Sequence, residues 1–212
     1  MTATPTYPGR FIVLDGVDGC GKSTQAKRLV HSLRTEGEVE VQHLREPGST
    51  TLGEGLRELL LSRDQDMGPE VESLLFCAAR RQMLDLLVRP ALEKGQWVVC
   101  ERFHPSTLAY QGGAGGVPTE VLAQLLESWA GDPEPDLVLI LDLDPAAAKQ
   151  RRGESADRIE DKGQGFQEEV ARAMRHYAAT HPAAELVQGE GSADEVAERI
   201  RVHMDGLQVG PR

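Results

Sequence analysis

One stretch constrains this chain more than any other: Phe11 to Thr24, FIVLDGVDGCGKST. It opens with the apolar run Phe11-Ile12-Val13-Leu14, which reads as a buried strand. The segment Gly16 to Ser23 then meets the phosphate-loop pattern G-x-x-x-x-G-K-[ST] at every required position. From Thr24 to Arg34 the residues Leu29, Val30 and Leu33 recur at helical spacing. The pattern therefore lies between a strand and a helix, the context in which such a loop holds phosphate.

Glycines let backbone N–H groups approach phosphate oxygens with no Cβ in the way. A helix starting near Lys22 points its positive end at the same oxygens. Lys22 adds a point charge near the β- and γ-phosphates, and the Ser23 hydroxyl can ligate Mg²⁺. Gly16, Val17, Asp18, Gly19, Cys20, Gly21, Lys22, Ser23 and Thr24 are thus the expected ATP contacts.

A chain of 212 residues can bury a full core as one α/β domain, expected over 1–212. Its net charge of −11 argues against nucleic acid or an anionic membrane as partner, so cations must be concentrated locally at a phosphate site. Cys20, Cys77 and Cys100 are far apart, without metal-ligand spacing, and read as free thiols of a reducing compartment. No leader-like segment opens the chain and no apolar run reaches about 18 residues, so a cytoplasmic location is expected.

Further along, Glu38 to Leu44 alternates as a second strand, followed by the tight loop Arg45 to Thr50. Helical patterns cover Leu52 to Leu61 and, behind Pro69, Glu70 to about Lys94. Trp97 to Cys100 reads as a third strand, Gly112 to Gly116 as flexible, and Pro118 to Ala130 as a helix. Asp136 to Asp142 reads as a fourth strand, Leu186-Val187 as a short last one. Pro145 to Gln150, Phe166 to Ala179 and Ser192 to Met204 read as helices, the last capped by Ser192, with a loose tail after Asp205. The alternation predicts a phosphate-loop NTPase-type parallel sheet of about five strands flanked by helices, functional loops gathering at the strands' carboxyl ends.

A phosphate loop alone does not separate kinase, ATPase and GTP switch. The chain contains no asparagine, so a guanine-reading N-K-x-D element is impossible. A small kinase needs cations around the transferring group. Arg102 follows the third strand, where ligands of such sheets lie. Arg151, Arg152 and Arg158 fall in a polar stretch that reads either as a solvated charge run or, beside a phosphate loop, as a mobile lid over about 150–164.

Five motifs in order, FIVLDGVDGCGKST, REPGST, LLFCAARRQ, ERFHPSTLAYQG and DRIE, resemble the thymidylate kinase family. The resemblance implies transfer of the γ-phosphoryl of ATP to dTMP with Mg²⁺, in dTTP synthesis, by a homodimer. By position, it implies that Phe76 stacks on thymine and Arg80 bonds its edge; the two are i and i+4 on one helix. It further implies Arg102 on the acceptor phosphate, Ser106 and Thr107 by the base, Tyr110 against C2′ of the sugar, and Gln111 orienting the nucleotide. Asp18 would accept from the 3′-hydroxyl, with Arg45 near the acceptor side and Pro47 shaping the turn.

With Gly19 in the loop and arginines in the lid, the chain resembles the bacterial, lid-arginine type, which makes Arg151 or Arg152 the expected cation on the transferring group. Lys22, Asp18 and Arg102 complete the expected catalytic set. Five positions depart from the family pattern: Glu101 stands where Asp is usual, Ala171 and Met174 replace Arg and Tyr, and Gln188-Gly189 replaces Asp-Ala. Another nucleoside monophosphate kinase, preferring UMP or dCMP, and a catalytically weak nucleotide-gated protein are the competing readings.

Overall fold

A computed structural model describes residues 7–153, 157–204 and 207. The expectations for the first six residues, for positions 154–156 of the lid and for the tail from Asp205, apart from Leu207, lie outside the described residues. The order is β1 Phe11–Gly16, α1 Lys22–Thr35, β2 Val41–Arg45, α2 Thr51–Leu61, α3 Pro69–Met83, α4 Arg89–Glu93, β3 Trp97–Glu101 and α5 His104–Thr107. Then come α6 Thr119–Ala130, β4 Leu137–Asp142, α7 Pro145–Arg152, α8 Gln164–Thr180, β5 Ala184–Gln188 and α9 Ala193–Met204.

The five strands form one sheet in the order β2-β3-β1-β4-β5, and every pairing is parallel. Parallel sheets of this kind are covered on both faces, which is why β1 and β4 are almost uninterrupted apolar runs. The register aligns Arg45 with Glu101 and Leu14 with Glu101, so the carboxyl ends of β2, β3 and β1 arrive at one rim. No helix among the described residues is long and apolar enough to cross a membrane.

Helix ends follow the local sequence. Asp144 caps α7 by accepting from the N–H groups of Ala146 and Ala147. Ser192 and Glu195 form a reciprocal capping box at the start of α9, as the Ser192 reading anticipated.

Four local expectations need correction. The helix expected through Lys94 is not uniform: it widens into a π-helical stretch at Leu84–Val88, where the Arg89 N–H reaches back to Leu84 O. Pro90, with no N–H, cannot continue the ordinary ladder there. The second strand starts at Val41, not Glu38, because Glu38 takes a left-handed φ of 50°.

The flexible Gly112–Gly116 stretch is partly helical. Gly112 and Gly113 belong to a π-helical stretch, Leu108–Gly113, and a Cβ on Gly113 would stand 2.7 Å from the Ala173 Cβ of α8. Finally, Arg151 and Arg152 are not irregular but complete the last turn of α7, so the lid expected over about 150–164 opens on the end of a helix.

Candidate active site

The loop between β1 and α1 is held open by packing from outside. Gly19 has φ +88°, and a Cβ there would lie 2.2 Å from Ala148 O of α7. Gly16, at φ +146°, has Leu141 O and Cys20 Sγ each 2.7 Å from where a Cβ would sit. Any side chain at either position would collide with fixed groups, so glycine is dictated by space as well as by φ. Cys20 is buried, packed against Gly16, and burial raises its thiol pKa, so it acts as a small apolar filler.

Lys22 Nζ donates to Gly16 O at 3.0 Å and Val17 O at 2.9 Å, curled over the loop. The first N–H groups of α1 have no intrahelical acceptor and face the same space. Ser23 Oγ donates to Glu101 Oε2 at 2.5 Å, and Glu101 Oε1 meets His43 Nε2 at 2.9 Å. Burial opposes charge on Glu101, yet the bonds from His43 and Ser23 outweigh it and lower its pKa. A hydroxyl and a carboxylate held together are hard oxygen donors that suit Mg²⁺ completed by water and phosphate.

Next to the loop lies a second group of charges. Arg102, with a left-handed φ of 68°, sends Nη2 to Asp18 Oδ1 and Nη1 to Ser106 Oγ at 2.8 Å. The Tyr110 hydroxyl donates to Asp18 Oδ2 at 2.9 Å, and its ring lies under the Arg102 guanidinium. Burial opposes charge on Asp18, but Arg102, Lys22 and the Tyr110 bond together hold its carboxyl far below the usual range. It is an anion at any working pH.

Asp15 fixes this arrangement. Fully buried at the end of β1, it accepts from the N–H groups of Gly16, Phe103 and Ser106 and from Ser106 Oγ. Thus one carboxylate ties the phosphate loop to the segment carrying Arg102 and Ser106. Sequence reasoning missed it; the only signal was a lone acid ending an apolar strand.

From Asp18 and Arg102 an open cleft runs inward, lined by Pro47, Phe76, Arg80, Thr107, Tyr110 and Gln111 among others. Arg80 forms its floor, 1% exposed. Its Nε donates to Glu46 Oε2 at 2.7 Å, and its Nη2 donates to Phe103 O at 3.0 Å and Thr107 Oγ1 at 3.1 Å. Its Nη1 has no partner among the described residues. A buried guanidinium nitrogen left unpaired is costly unless a ligand acceptor completes it.

Arg45 is half-exposed and pairs with Glu54 at 2.9 Å, and Arg57 of α2, overlooked in the sequence, lines the cleft. Arg57 has its pKa lowered by burial first and then by Arg45 and Arg102 nearby. Arginines that weigh on one another in this way make this side of the cleft suited to an anion. Arg57 was illegible because a lone arginine on an amphipathic helix ordinarily reads as solvated.

The three lid arginines separate. Arg152 lines a hollow with Val17, Asp18, Lys149 and Gln167, directly beside the phosphate loop. Its Nη1 is 3.5 Å from Glu160 Oε1, and its Nε has no partner among the described residues. Arg151 turns away and donates to Gly189 O and Gly191 O beyond β5. Arg158 is drawn onto Glu72 at 2.7 Å. The departing positions Ala171 and Met174 are buried in the core.

Comparison with known proteins points the same way. A sequence-family model described as Thymidylate kinase matches residues 14–200. A protein named thymidylate kinase from Rhizorhabdus wittichii is 41% identical over 199 residues, covering 91% of this chain and 95% of that protein. Its namesakes from Afipia carboxidovorans and Synechococcus sp. (strain CC9605) are 43% and 40% identical, covering 93% of this chain and 90% and 95% of their own lengths.

Proposed function

The chain belongs to the thymidylate kinase family, and from that premise we infer that it transfers the γ-phosphoryl group of ATP to dTMP, giving dTDP and ADP. The observation that carries the residue-level reading is the continuity of one cleft. It runs from the unpaired Nη1 of Arg80, past Phe76 and Tyr110, to Arg102 and Asp18 at the phosphate loop. That path ends a base-sized pocket on the cations a 5′-phosphate needs.

In this reading Phe76 stacks on thymine while Arg80, aided by Thr107 and Gln111, bonds its edge. Tyr110 packs against C2′ and disfavours a ribose hydroxyl. Asp18, kept anionic, accepts from the 3′-hydroxyl. Arg102, steadied by Ser106, holds the acceptor phosphate, with Arg57 and Arg45 behind it. The donor phosphates sit on the loop from Gly16 to Thr24, where Lys22 exchanges its two carbonyl contacts for phosphate oxygens.

The acceptor is already an anion, so no strong base is needed; catalysis is positioning and neutralisation. Arg152 supplies the cation on the transferring group from α7, which packs directly against Gly19. Mg²⁺, when bound by Ser23 with Glu101 beside it, neutralises charge on the donor phosphates. We take 1–212 as one kinase domain with a lid over about 150–164. We also propose a cytoplasmic homodimer; Val71 and Leu74 on α3 and Val121 on α6 are exposed apolar residues that such a partner would cover.

The test is ADP formation with MgATP and dTMP, dUMP, UMP, dCMP, AMP or GMP as acceptor. Turnover strongest with dTMP, weaker with dUMP and slight with UMP is expected. Brisk turnover with another acceptor and none with dTMP would refute these acceptor-site roles.

A further inference from the structure

Glu72, on α3, is a fully buried carboxylate. Acidic side chains are almost never fully buried unless paired, so its partners are informative. Its Oε1 accepts from Arg158 Nη1 at 2.7 Å and Lys162 Nζ at 2.9 Å. Its Oε2 accepts from Gln111 Nε2 at 2.8 Å and again from Lys162 Nζ at 3.2 Å. These bonds outweigh the burial and lower the Glu72 pKa, so the group is a true anchor.

The partners come from opposite walls of one cleft. Gln111 lines it from the π-helical stretch after α5, and Asp157 and Ile159 line it from the segment that carries Arg158 and Lys162. Glu72 itself is one helical turn before Phe76. Arg158 also donates from Nη2 to Leu60 O at 3.0 Å, tying the segment to the end of α2. Ile159, buried behind these bonds, is then the apolar contact that the segment offers the cleft.

We propose that Glu72 is a positioning residue that fastens the Asp157–Lys162 segment over the nucleoside cleft and sets Gln111 within it, and so governs how firmly the monophosphate acceptor is held. It touches no reacting atom. Without its charge, Arg158 and Lys162 lose the carboxylate they share, and the segment loses its buried attachment to α3. The inference rests on the cleft being the dTMP site.

The test uses the full chain with Glu72→Gln, which keeps the shape and removes the charge, and Lys162→Gln, which alters only the partly exposed end of the cluster. KM for dTMP, KM for ATP, kcat and amide hydrogen exchange over 157–163 are measured in each. In Glu72→Gln, KM for dTMP rises on the order of tenfold, as for loss of a hydrogen bond to a charged group. KM for ATP changes less than about twofold, and exchange over 157–163 accelerates; Lys162→Gln gives the same pattern more weakly.

Unchanged exchange, or equal losses toward both substrates, would mean that Glu72 is only structural and would overturn the proposal. If Glu72→Gln does not fold, Lys162→Gln decides alone by the same two criteria. A wild-type chain that does not turn over dTMP would instead overturn the reading of the cleft beneath it.

Discussion

Ser23 Oγ donates to Glu101 Oε2 at 2.5 Å, which brings the last residue of β3 to the first turn of α1. The Glu101 carboxylate thereby spans Ser23 and His43 at once. Glu101→Gln keeps the span but loses the charge beside the metal position. The Mg²⁺ concentration for half-maximal rate should rise about ten- to hundredfold, with the KM for dTMP little changed. An unaltered Mg²⁺ titration would remove Glu101 from the metal's surroundings.

Arg151 and Arg152 are neighbours with different surroundings, and their variants should separate. Arg152 faces the loop, so Arg152→Ala should lower kcat by on the order of 10³, near the effect of losing a phosphoryl-stabilising arginine. Arg151 bonds the loop beyond β5 through Gly189 O and Gly191 O. Arg151→Ala should therefore act on the KM for ATP and leave kcat within about threefold. Equal effects of the two variants in steady-state kinetics would contradict the division.

Much of this was legible in the sequence for a physical reason. The phosphate loop must have glycines, a lysine and a hydroxyl at fixed spacing, and strands covered on both faces must be apolar. Phe76 and Arg80 share a helix face, so their pairing was readable too. Asp15, Glu46 and Glu72 were not. Each is a single acid whose role is set by partners 34 to 91 positions away, such as Arg80 for Glu46, Ser106 for Asp15 and Arg158 for Glu72. No local pattern encodes those meetings. The separation of Arg151 from Arg152 was equally hidden, because it depends on how far α7 runs before Gly153 ends it.

Gly19→Ala tests the packing that shapes the loop. Its Cβ would lie 2.2 Å from the Ala148 carbonyl oxygen, at a φ that alanine adopts poorly. Either α7 retreats, moving Arg152 with it, or the loop distorts. Stability should fall by roughly 1–3 kcal/mol in urea unfolding. Activity should fall further than stability at a temperature where the variant is fully folded, because the loop and Arg152 move relative to each other.

The last prediction concerns Glu46, buried against Arg80. Its Oε1 has no partner among the described residues. Burial pushes its pKa up to about 7, Arg80 opposes the rise and Asp15 adds to it. The thiols of Cys77 and Cys100 also face it, but burial keeps them neutral. A carboxyl that keeps its proton in the folded chain up to about pH 7 binds protons that the unfolded chain has released above about pH 4.5. Its contribution to stability is therefore complete below about pH 4.5 and is lost as pH rises through 7. Glu46→Gln cannot titrate, so it lacks that loss. The stability of the wild type minus that of Glu46→Gln should decline from pH 4.5 to 8 by up to about 3 kcal/mol, measured by urea unfolding without ligand. A difference that stayed level, or rose with pH, would mean that Arg80 outweighs burial and that Glu46 is charged throughout. Arg80 would then meet the acceptor base as part of a fixed ion pair, and the KM for dTMP would show no step near pH 7.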